Sequence, residues 1–233
     1  MKVVHIEARL KKIVELPDKF IVKLPKKVAL FTTIQFMNSM ESMLKQINDS
    51  GRTAVIFKTG HTRHHGQILG CNVQKAEDYA KEDFDAFVYV GDGLFHPKAL
   101  LWKNEDMTVY AYDPFTEKDY VVDKEDMKKI IGRHKGALVT FYASNKVGVL
   151  ITTKPGQMLL KRAFELKDEY PEKEFYFFID NTIDFNSLED FPFINVWINT
   201  ACPRIGFDDS IKISKPIINM EDVKKNNPKR ALF

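Results

Sequence analysis

The stretch VWINTACPRIGFDD, residues 196–209, decides the fold and raises the question of function. It begins as a continuous apolar run, which is typical of a strand that is buried on both faces of a parallel sheet. The run ends at Cys202, Pro203 and Arg204, so the strand delivers a thiol to a loop at its carboxyl end. The chain holds one other cysteine, Cys71. Two cysteines in 233 residues do not make a disulfide framework, which leaves metal binding, redox chemistry or two inert buried thiols as interpretations.

Similar apolar runs alternate with helical patterns along the whole chain. KVALFTT, residues 27–33, reads as a strand, and the following segment, residues 34–51, has helical spacing of its apolar side chains and ends at a glycine. A longer helix is predicted to begin after Asp123 as its N-cap. The apolar residues at helical spacing in the first segment are Phe36, Met40, Met43, Leu44 and Ile47, and the further predicted strands are TAVIFK, AFVYV, VYAY, KVGVLI, EFYFFID and INVWINTA.

This alternation predicts an α/β protein built from two tandem similar domains. Each domain is expected to be a small parallel sheet flanked by helices, in a Rossmann-like arrangement. We place the domains at residues 1–122 and 123–233, so that the first carries Cys71 and the second Cys202.

Composition narrows the class of protein. The chain has 35 lysines and arginines against 32 aspartates and glutamates, which is far from the basic face of a dedicated nucleic-acid binder. No apolar run approaches the ~20 residues that span a membrane, and the amino-terminal residues lack the apolar segment of a signal peptide. We therefore expect a soluble, cytoplasmic protein that binds neither membrane nor nucleic acid directly.

The unusual residues follow predicted strands, and ligands of open parallel sheets bind beyond the carboxyl ends of the strands. GDGLFH, residues 91–96, and TTKPGQ, residues 152–157, each follow an apolar run, and they are either plain turns or loops whose amides hold an anion. HTRHH, residues 61–65, is either a solvated loop or a source of metal ligands. The cysteines lack C-x-x-C spacing, but an iron–sulfur cluster accepts thiolates from distant loops.

Seven motifs occur in the order found in a known family. The chain resembles archaeal diphthamide synthase, also named 2-(3-amino-3-carboxypropyl)histidine synthase, over essentially its whole length. The motifs are TTIQF, GQILGCN, GDGLFHPKAL, YDP, TTKPGQ, NTACPRIGFDD and KPIINMED.

The resemblance implies a non-conventional radical enzyme. Members of the family have three similar α/β domains, each of which gives one cysteine to a 4Fe-4S cluster, and they work as dimers. The cluster binds S-adenosylmethionine as co-substrate and donates an electron to it. The resulting 3-amino-3-carboxypropyl group is transferred to a histidine of translation elongation factor 2, which is the first step of diphthamide biosynthesis.

The motif match also suggests site residues. Cys71 corresponds to the cluster ligand of the family's middle domain, and Cys202 to that of the last domain. Arg204 either binds the co-substrate's carboxylate or pairs with Asp208 or Asp209 of its own loop. No residue is identified as a catalytic acid or base. The residues nominated for binding S-adenosylmethionine are Gln35, Asp92, His96, Gly156, Gln157 and Arg204.

The family's first domain, with its cysteine, has no counterpart in the chain, and VVHIEAR, residues 3–9, resembles the short strand that follows that domain. One interpretation is a split enzyme in which another protein supplies the missing domain. A second is a homodimer or free-standing enzyme whose third ligand is His61, His64 or His65, a cysteine of the dimer mate, or a small thiol. A third is a non-catalytic partner of a full-length diphthamide synthase.

Two further alternatives stay open. The same chemistry could act on a different acceptor, which the sequence does not identify. Outside the family, the chain could be a generic two-domain α/β protein that binds a nucleotide-like ligand, although this would leave both cysteines unexplained.

Overall fold

The structure is a computed structural model, and it describes residues 4–71 and 83–223. The chain divides into two compact units, Met1–Met127 and Lys128–Phe233, which we call the first and second units. Each unit contains its own sheet and its own apolar core. Within the described ranges, no helix has the length and apolar character that crossing a bilayer requires.

The first unit is a five-stranded sheet with the strand order β2-β1-β3-β4-β5. Its first four strands are parallel, and β5 is antiparallel to β4. The strands are β1 Lys27–Thr32, β2 Thr53–Val55, β3 Ala86–Val90, β4 Val109–Asp113 and β5 Lys118–Val122; the helices are α1 Asp18–Ile21, a 3-10 helix Ile34–Ser39, α2 Met40–Asp49 and α3 Phe95–Trp102.

The core of the first unit follows from the apolar pattern of the sequence. Strands β1 and β3 lie at the centre of the sheet, and helices must cover both of their faces, so nearly every residue in them is buried. The 3-10 helix and α2 form the helical segment predicted for this region. Phe36, Met40, Met43 and Ile47 are buried against the sheet, with Leu44 partly buried beside them.

Strand β5 is an addition that the sequence analysis did not predict. Its sequence KDYVV is charged at the start and half exposed, as an antiparallel edge strand can be. The preceding turn is held by Asp113, whose carboxylate accepts hydrogen bonds from the backbone amides of Phe115 and Thr116. Glu117 completes the turn with a φ of 56°, in the left-handed region. The first sheet is therefore dominated by parallel strands without being wholly parallel.

Two predicted strands of the first unit need correction. Residues 4–9 of VVHIEAR form no strand, and their side chains make loop contacts instead. TAVIFK forms a strand only over Thr53–Val55, because the chain then turns so that the Gly66 amide donates to the Phe57 carbonyl. In both segments tertiary contacts override local strand propensity.

The second unit is a four-stranded parallel sheet with the order β7-β6-β8-β9. Strand β9 was not predicted, since three residues give too short a pattern to recognise. The strands are β6 Lys146–Thr152, β7 Glu174–Asp180, β8 Val196–Asn199 and β9 Ile217–Asn219; the helices are α4 Lys124–Ala143, which begins in the first unit, α5 Leu160–Glu169, α6 Arg204–Phe207, α7 Met220–Val223 and 3-10 helices at Asn186–Asp190 and Asp209–Lys212.

Helix α4 is capped at both ends by side chains. Asp123 accepts a hydrogen bond from the Glu125 amide, and Asp126 accepts one from the Asp123 amide, which confirms the predicted N-cap. At the other end, the Lys173 ammonium donates to the carbonyls of Phe141 and Ser144 at 2.8 and 2.6 Å. A cation at a helix carboxyl end is stabilising, although burial lowers the pKa of Lys173.

Trp197 of β8 fills one side of the second sheet. The rings of Phe178 and Phe191 pack against its fully buried indole, with ring centroids 5.0 and 6.3 Å away. Strand β6 places Gly148 directly opposite the indole, and a Cβ atom there would overlap the ring. Gly148 is therefore required by close packing and not by backbone conformation.

We predict opposite effects for two glycine-to-alanine substitutions in the second unit. Gly148→Ala should lower the free energy of unfolding by about 1–3 kcal/mol, because the new methyl group overpacks the Trp197 site. Gly132→Ala, in helix α4 with open space at its Cβ position, should raise it by about 0.5–1 kcal/mol. Urea unfolding followed by tryptophan fluorescence measures both. Equal stability of the two variants would contradict the packing argument.

Candidate functional site

Cys202 lies immediately past the carboxyl end of β8, at the edge of the second sheet. Its carbonyl accepts two hydrogen bonds, from the Ile205 amide at 3.0 Å and from Asn199 Nδ2 at 2.9 Å. The residue is half-buried. The strand therefore leads into the loop that carries the thiol, and residues before and after Cys202 donate hydrogen bonds to its carbonyl.

A pair of buried asparagines, Asn199 and Asn219, holds this loop. We call them the asparagine pair. Asn199 Nδ2 donates to Asn219 Oδ1 at 2.7 Å, and Asn219 Nδ2 donates to the Pro203 carbonyl at 2.9 Å. Asn199 Oδ1 accepts a hydrogen bond from the Ala201 amide at 3.1 Å. Sequence reasoning did not single out either residue, although both stand in the motifs NTACPRIGFDD and KPIINMED.

Arg204 is buried in the same loop and pairs with Asp208. Its guanidinium also lies 4.6 Å from the centre of the Phe207 ring. Burial lowers the pKa of Arg204, and the neighbouring Asp208 and Cys202 oppose that change. Asp209 pairs with Lys212 instead, at 2.7 Å. Of the two acids that the sequence offered to Arg204, the structure selects Asp208.

The TTKPGQ loop lies at the carboxyl end of β6. Gly156 has a φ of 80° with open space at its Cβ position, and the Gln157 amide donates to the Lys154 carbonyl at 3.0 Å. Both Gly156 and Gln157 are exposed. Turn geometry accounts for the glycine, and the loop stays on the edge of the second sheet where the sequence predicts it.

Cys71 lies at the end of a loop that pairs with Thr32, the last residue of strand β1 in the first unit. The Thr32 amide donates to the Gly66 carbonyl at 2.8 Å, and the Ile68 amide donates to the Thr32 carbonyl at 2.9 Å. Gly70 then packs so closely on the Phe95 ring that no larger residue would fit. Cys71 is exposed. This thiol therefore also lies at the carboxyl-end side of its own sheet, beside the start of α3.

Three of the nominated co-substrate residues, Gln35, Asp92 and His96, line one cavity of the first unit. Its volume is about 560 Å³, within the range of small-molecule sites. Arg9 and Thr33 complete its polar lining. The Thr33 hydroxyl is buried and has no hydrogen-bond partner among the described residues. The cavity surface is mostly apolar, and Arg9, Gln35 and Asp92 are the residues that bring a guanidinium, an amide and a carboxylate to its lining.

His96 is oriented by a buried tyrosine. The Tyr89 hydroxyl lies 3.0 Å from Nδ1 of His96, and the two rings stack with centroids 5.4 Å apart. Burial raises the pKa of Tyr89, with smaller contributions from the charges of Asp92, Tyr120 and Asp113, so the phenol keeps its proton. A Cβ atom at Gly91 would overlap the Tyr89 hydroxyl, which explains the first glycine of the GDG motif.

The histidine-rich loop is tied to the amino-terminal segment. His64 Nε2 lies 3.0 Å from the Glu7 carboxylate and 2.9 Å from Arg9 Nη2. Hydrogen bonds from His64 and then Arg9 lower the pKa of Glu7 to about 2. His61 and His65 are exposed.

Each unit contains one cysteine that is a candidate metal ligand. Across residues 4–71 and 83–223, no three His, Cys, Asp or Glu side chains come close enough to hold a metal ion. Each unit nevertheless has one free cysteine in a loop at the carboxyl end of its sheet, and thiolates are the ligands that iron–sulfur clusters take.

Comparisons with known proteins agree with the sequence motifs. The family model for putative diphthamide synthesis proteins matches residues 1–225. The chain is 29% identical over 209 residues to 2-(3-amino-3-carboxypropyl)histidine synthase of Pyrococcus horikoshii, covering 88% of this chain and 58% of the relative. It is 30% identical over 201 residues to subunit 1 of the synthase from Schizosaccharomyces pombe, covering 82% of this chain and 45% of the relative.

Two solved structures are also similar to this chain. The crystal structure of Dph2 from Pyrococcus horikoshii matches with a TM-score of 0.71 at 26% identity, over 87% of this chain and 57% of that one. The structure of the same protein with a 4Fe-4S cluster matches with a TM-score of 0.70. The chain spans about half the length of the curated relatives it matches. From the match over residues 1–225 and from these relatives, the chain belongs to the diphthamide synthesis protein family.

Proposed function

We propose that this chain takes part in the first step of diphthamide biosynthesis, as a 3-amino-3-carboxypropyl transferase. The group would come from S-adenosylmethionine and pass to a histidine of translation elongation factor 2. One observation carries the proposal: the only two cysteines of the chain lie in loops at the carboxyl ends of its two sheets. Proteins that are similar over most of this chain are named as synthases of the modified histidine.

Cys71 and Cys202 would hold a 4Fe-4S cluster, as two of three thiolate ligands. The third ligand would come from outside the given residues or from a second copy of them, since they include no third cysteine. His61, His64 and His65 were the alternative ligands within the chain. His64 is the least suited of them, because its Nε2 already contacts Glu7 and Arg9. When bound, the cluster would supply the electron that cleaves the carbon–sulfur bond of the co-substrate.

The cavity lined by Gln35, Asp92 and His96 would bind part of S-adenosylmethionine. Asp92 suits the ammonium group or a ribose hydroxyl, and Gln35 can donate and accept hydrogen bonds. Tyr89 would keep His96 in one orientation toward the ligand. Gly156, Gln157 and Arg204 are the residues of the second unit proposed for the same co-substrate. Arg204 would bind the co-substrate's carboxylate while it remains paired with Asp208.

A non-catalytic supporting subunit is the second candidate function. It is favoured by the two cysteines of the chain, where the family resemblance implies three. Such a subunit would bind a full-length synthase without turning over S-adenosylmethionine itself. Cleavage of S-adenosylmethionine by the reconstituted chain, alone or with a partner that supplies a cysteine, distinguishes the two candidates.

We predict that the chain assembles an iron–sulfur cluster that depends on both cysteines. After anaerobic reconstitution, the wild-type protein should contain iron and inorganic sulfide in equal amounts, with the broad visible absorbance of a 4Fe-4S cluster. Cys71→Ser and Cys202→Ser should each lose most of the iron, because a serine hydroxyl is a poor ligand for cluster iron. Ser187→Ala, in an exposed 3-10 helix, is the matched control and should retain it.

A wild-type chain that takes up no iron alone, but does so with a partner that supplies a cysteine, would support the split enzyme. Failure with every such partner would contradict the cluster assignment. Iron uptake that survives both cysteine substitutions would contradict it equally.

We predict that Asp92→Asn weakens binding of S-adenosylmethionine by about 10-fold or more, because a hydrogen bond to a charged group contributes about 1.5–3 kcal/mol. Isothermal titration of the reconstituted protein under anaerobic conditions measures the dissociation constant. Asp106→Asn, exposed and outside the cavity lining, is the control. Equal affinities of the two variants would remove Asp92 from the proposed site.

A further inference from the structure

The burial of the asparagine pair beside the Cys202 loop requires an explanation. Asn199 and Asn219 are only 2% and 7% exposed, and they come from different strands, β8 and β9. Buried amide side chains are unfavourable unless their donors and acceptors are paired. The sheet itself does not require them, since its strands already pair through their backbones.

The hydrogen bonds of the pair converge on the residues that carry and follow the thiol. One amide donates to the carbonyl of Cys202 and the other to the carbonyl of Pro203. The two side chains are joined by the bond from Asn199 Nδ2 to Asn219 Oδ1. Both amides are thus satisfied only when the loop has this one conformation, so their burial selects that conformation over others.

Helix α6, which follows Cys202, packs against the asparagine pair. Gly206 of α6 lies against the Asn219 amide, and a Cβ atom at this position would overlap it. The Ile205 amide donates to the Cys202 carbonyl from the same helix. The Cys202 carbonyl is therefore held by Asn199 of β8 and by helix α6, and the Pro203 carbonyl is held by Asn219 of β9.

We propose that Asn199 and Asn219 are positioning residues that preorganise the Cys202 thiol for metal binding. This inference rests on the proposed function only in taking Cys202 as a cluster ligand. A ligand that is already held in its binding conformation loses little freedom when the metal binds. Partners that orient a metal ligand typically change metal affinity by about 10- to 100-fold when they are removed.

The test compares Asn219→Ala and Asn219→Ser with the control Asn195→Ala. Asn195 stands at the start of the segment leading into β8, is exposed, and accepts one hydrogen bond from the Lys146 amide at 3.3 Å. The first readout is the rate at which iodoacetamide alkylates Cys202 in a Cys71→Ser background, without metal. The second is the rate at which a chelator removes iron from the reconstituted chain with both cysteines present. Near-ultraviolet circular dichroism verifies that each variant is folded.

Both Asn219 variants should alkylate faster than wild type, and iron should leave them about 10-fold faster or more, while Asn195→Ala stays close to wild type. Unchanged alkylation in a folded Asn219 variant would overturn the inference. An equal acceleration in Asn195→Ala would also overturn it, because it would indicate general loosening of the unit. If Asn219→Ala does not fold, Asn219→Ser carries the comparison.

The alkylation readout also separates this inference from the proposed function. A wild-type chain that takes up no iron, either alone or with a partner that supplies a cysteine, would count against the cluster. The alkylation rates, measured without metal, would still decide whether the asparagine pair holds the thiol in place.

Discussion

The parallel direction of the central strands is the constraint on which the rest of the structure depends. Parallel neighbours require crossover connections, and these cover both faces of the sheet, so β1, β3, β6 and β8 must be apolar on both sides. The same direction places their carboxyl ends at one edge of each sheet. The loops that carry the candidate functional residues leave from these edges, which is why the unusual residues follow apolar runs.

Local patterns made much of the fold predictable. The spacing of Phe36, Met40, Met43 and Ile47 indicated which face of a helix is buried, and the Asp123 cap needs only residues within one turn. The strands that were missed among the described residues are β5 and β9, which are short or half exposed at sheet edges. Their conformation depends on pairing with a neighbour, and a single sequence does not show that pairing.

The candidate site also combines residues that the local sequence indicates with contacts between residues far apart in the chain. Cys71 and Cys202 could be nominated as candidate ligands from the sequence, because cysteines are rare in this chain and thiols have specific chemistry. The contacts that hold these loops could not, since the partners of Asn199 and His64 lie 20 and 57 residues away. Arg204 is an intermediate case. Its two candidate partners were both local, and only the three-dimensional arrangement selects Asp208.

The contact between Gly148 and Trp197 limits how this sequence can vary. A side chain at position 148 fits only if position 197 gives up the volume of an indole, and a smaller residue at 197 leaves a cavity unless 148 enlarges with it. Substitutions at the two positions are therefore coupled. A path between two stable sequences that differ at both must either change them together or pass through a less stable intermediate.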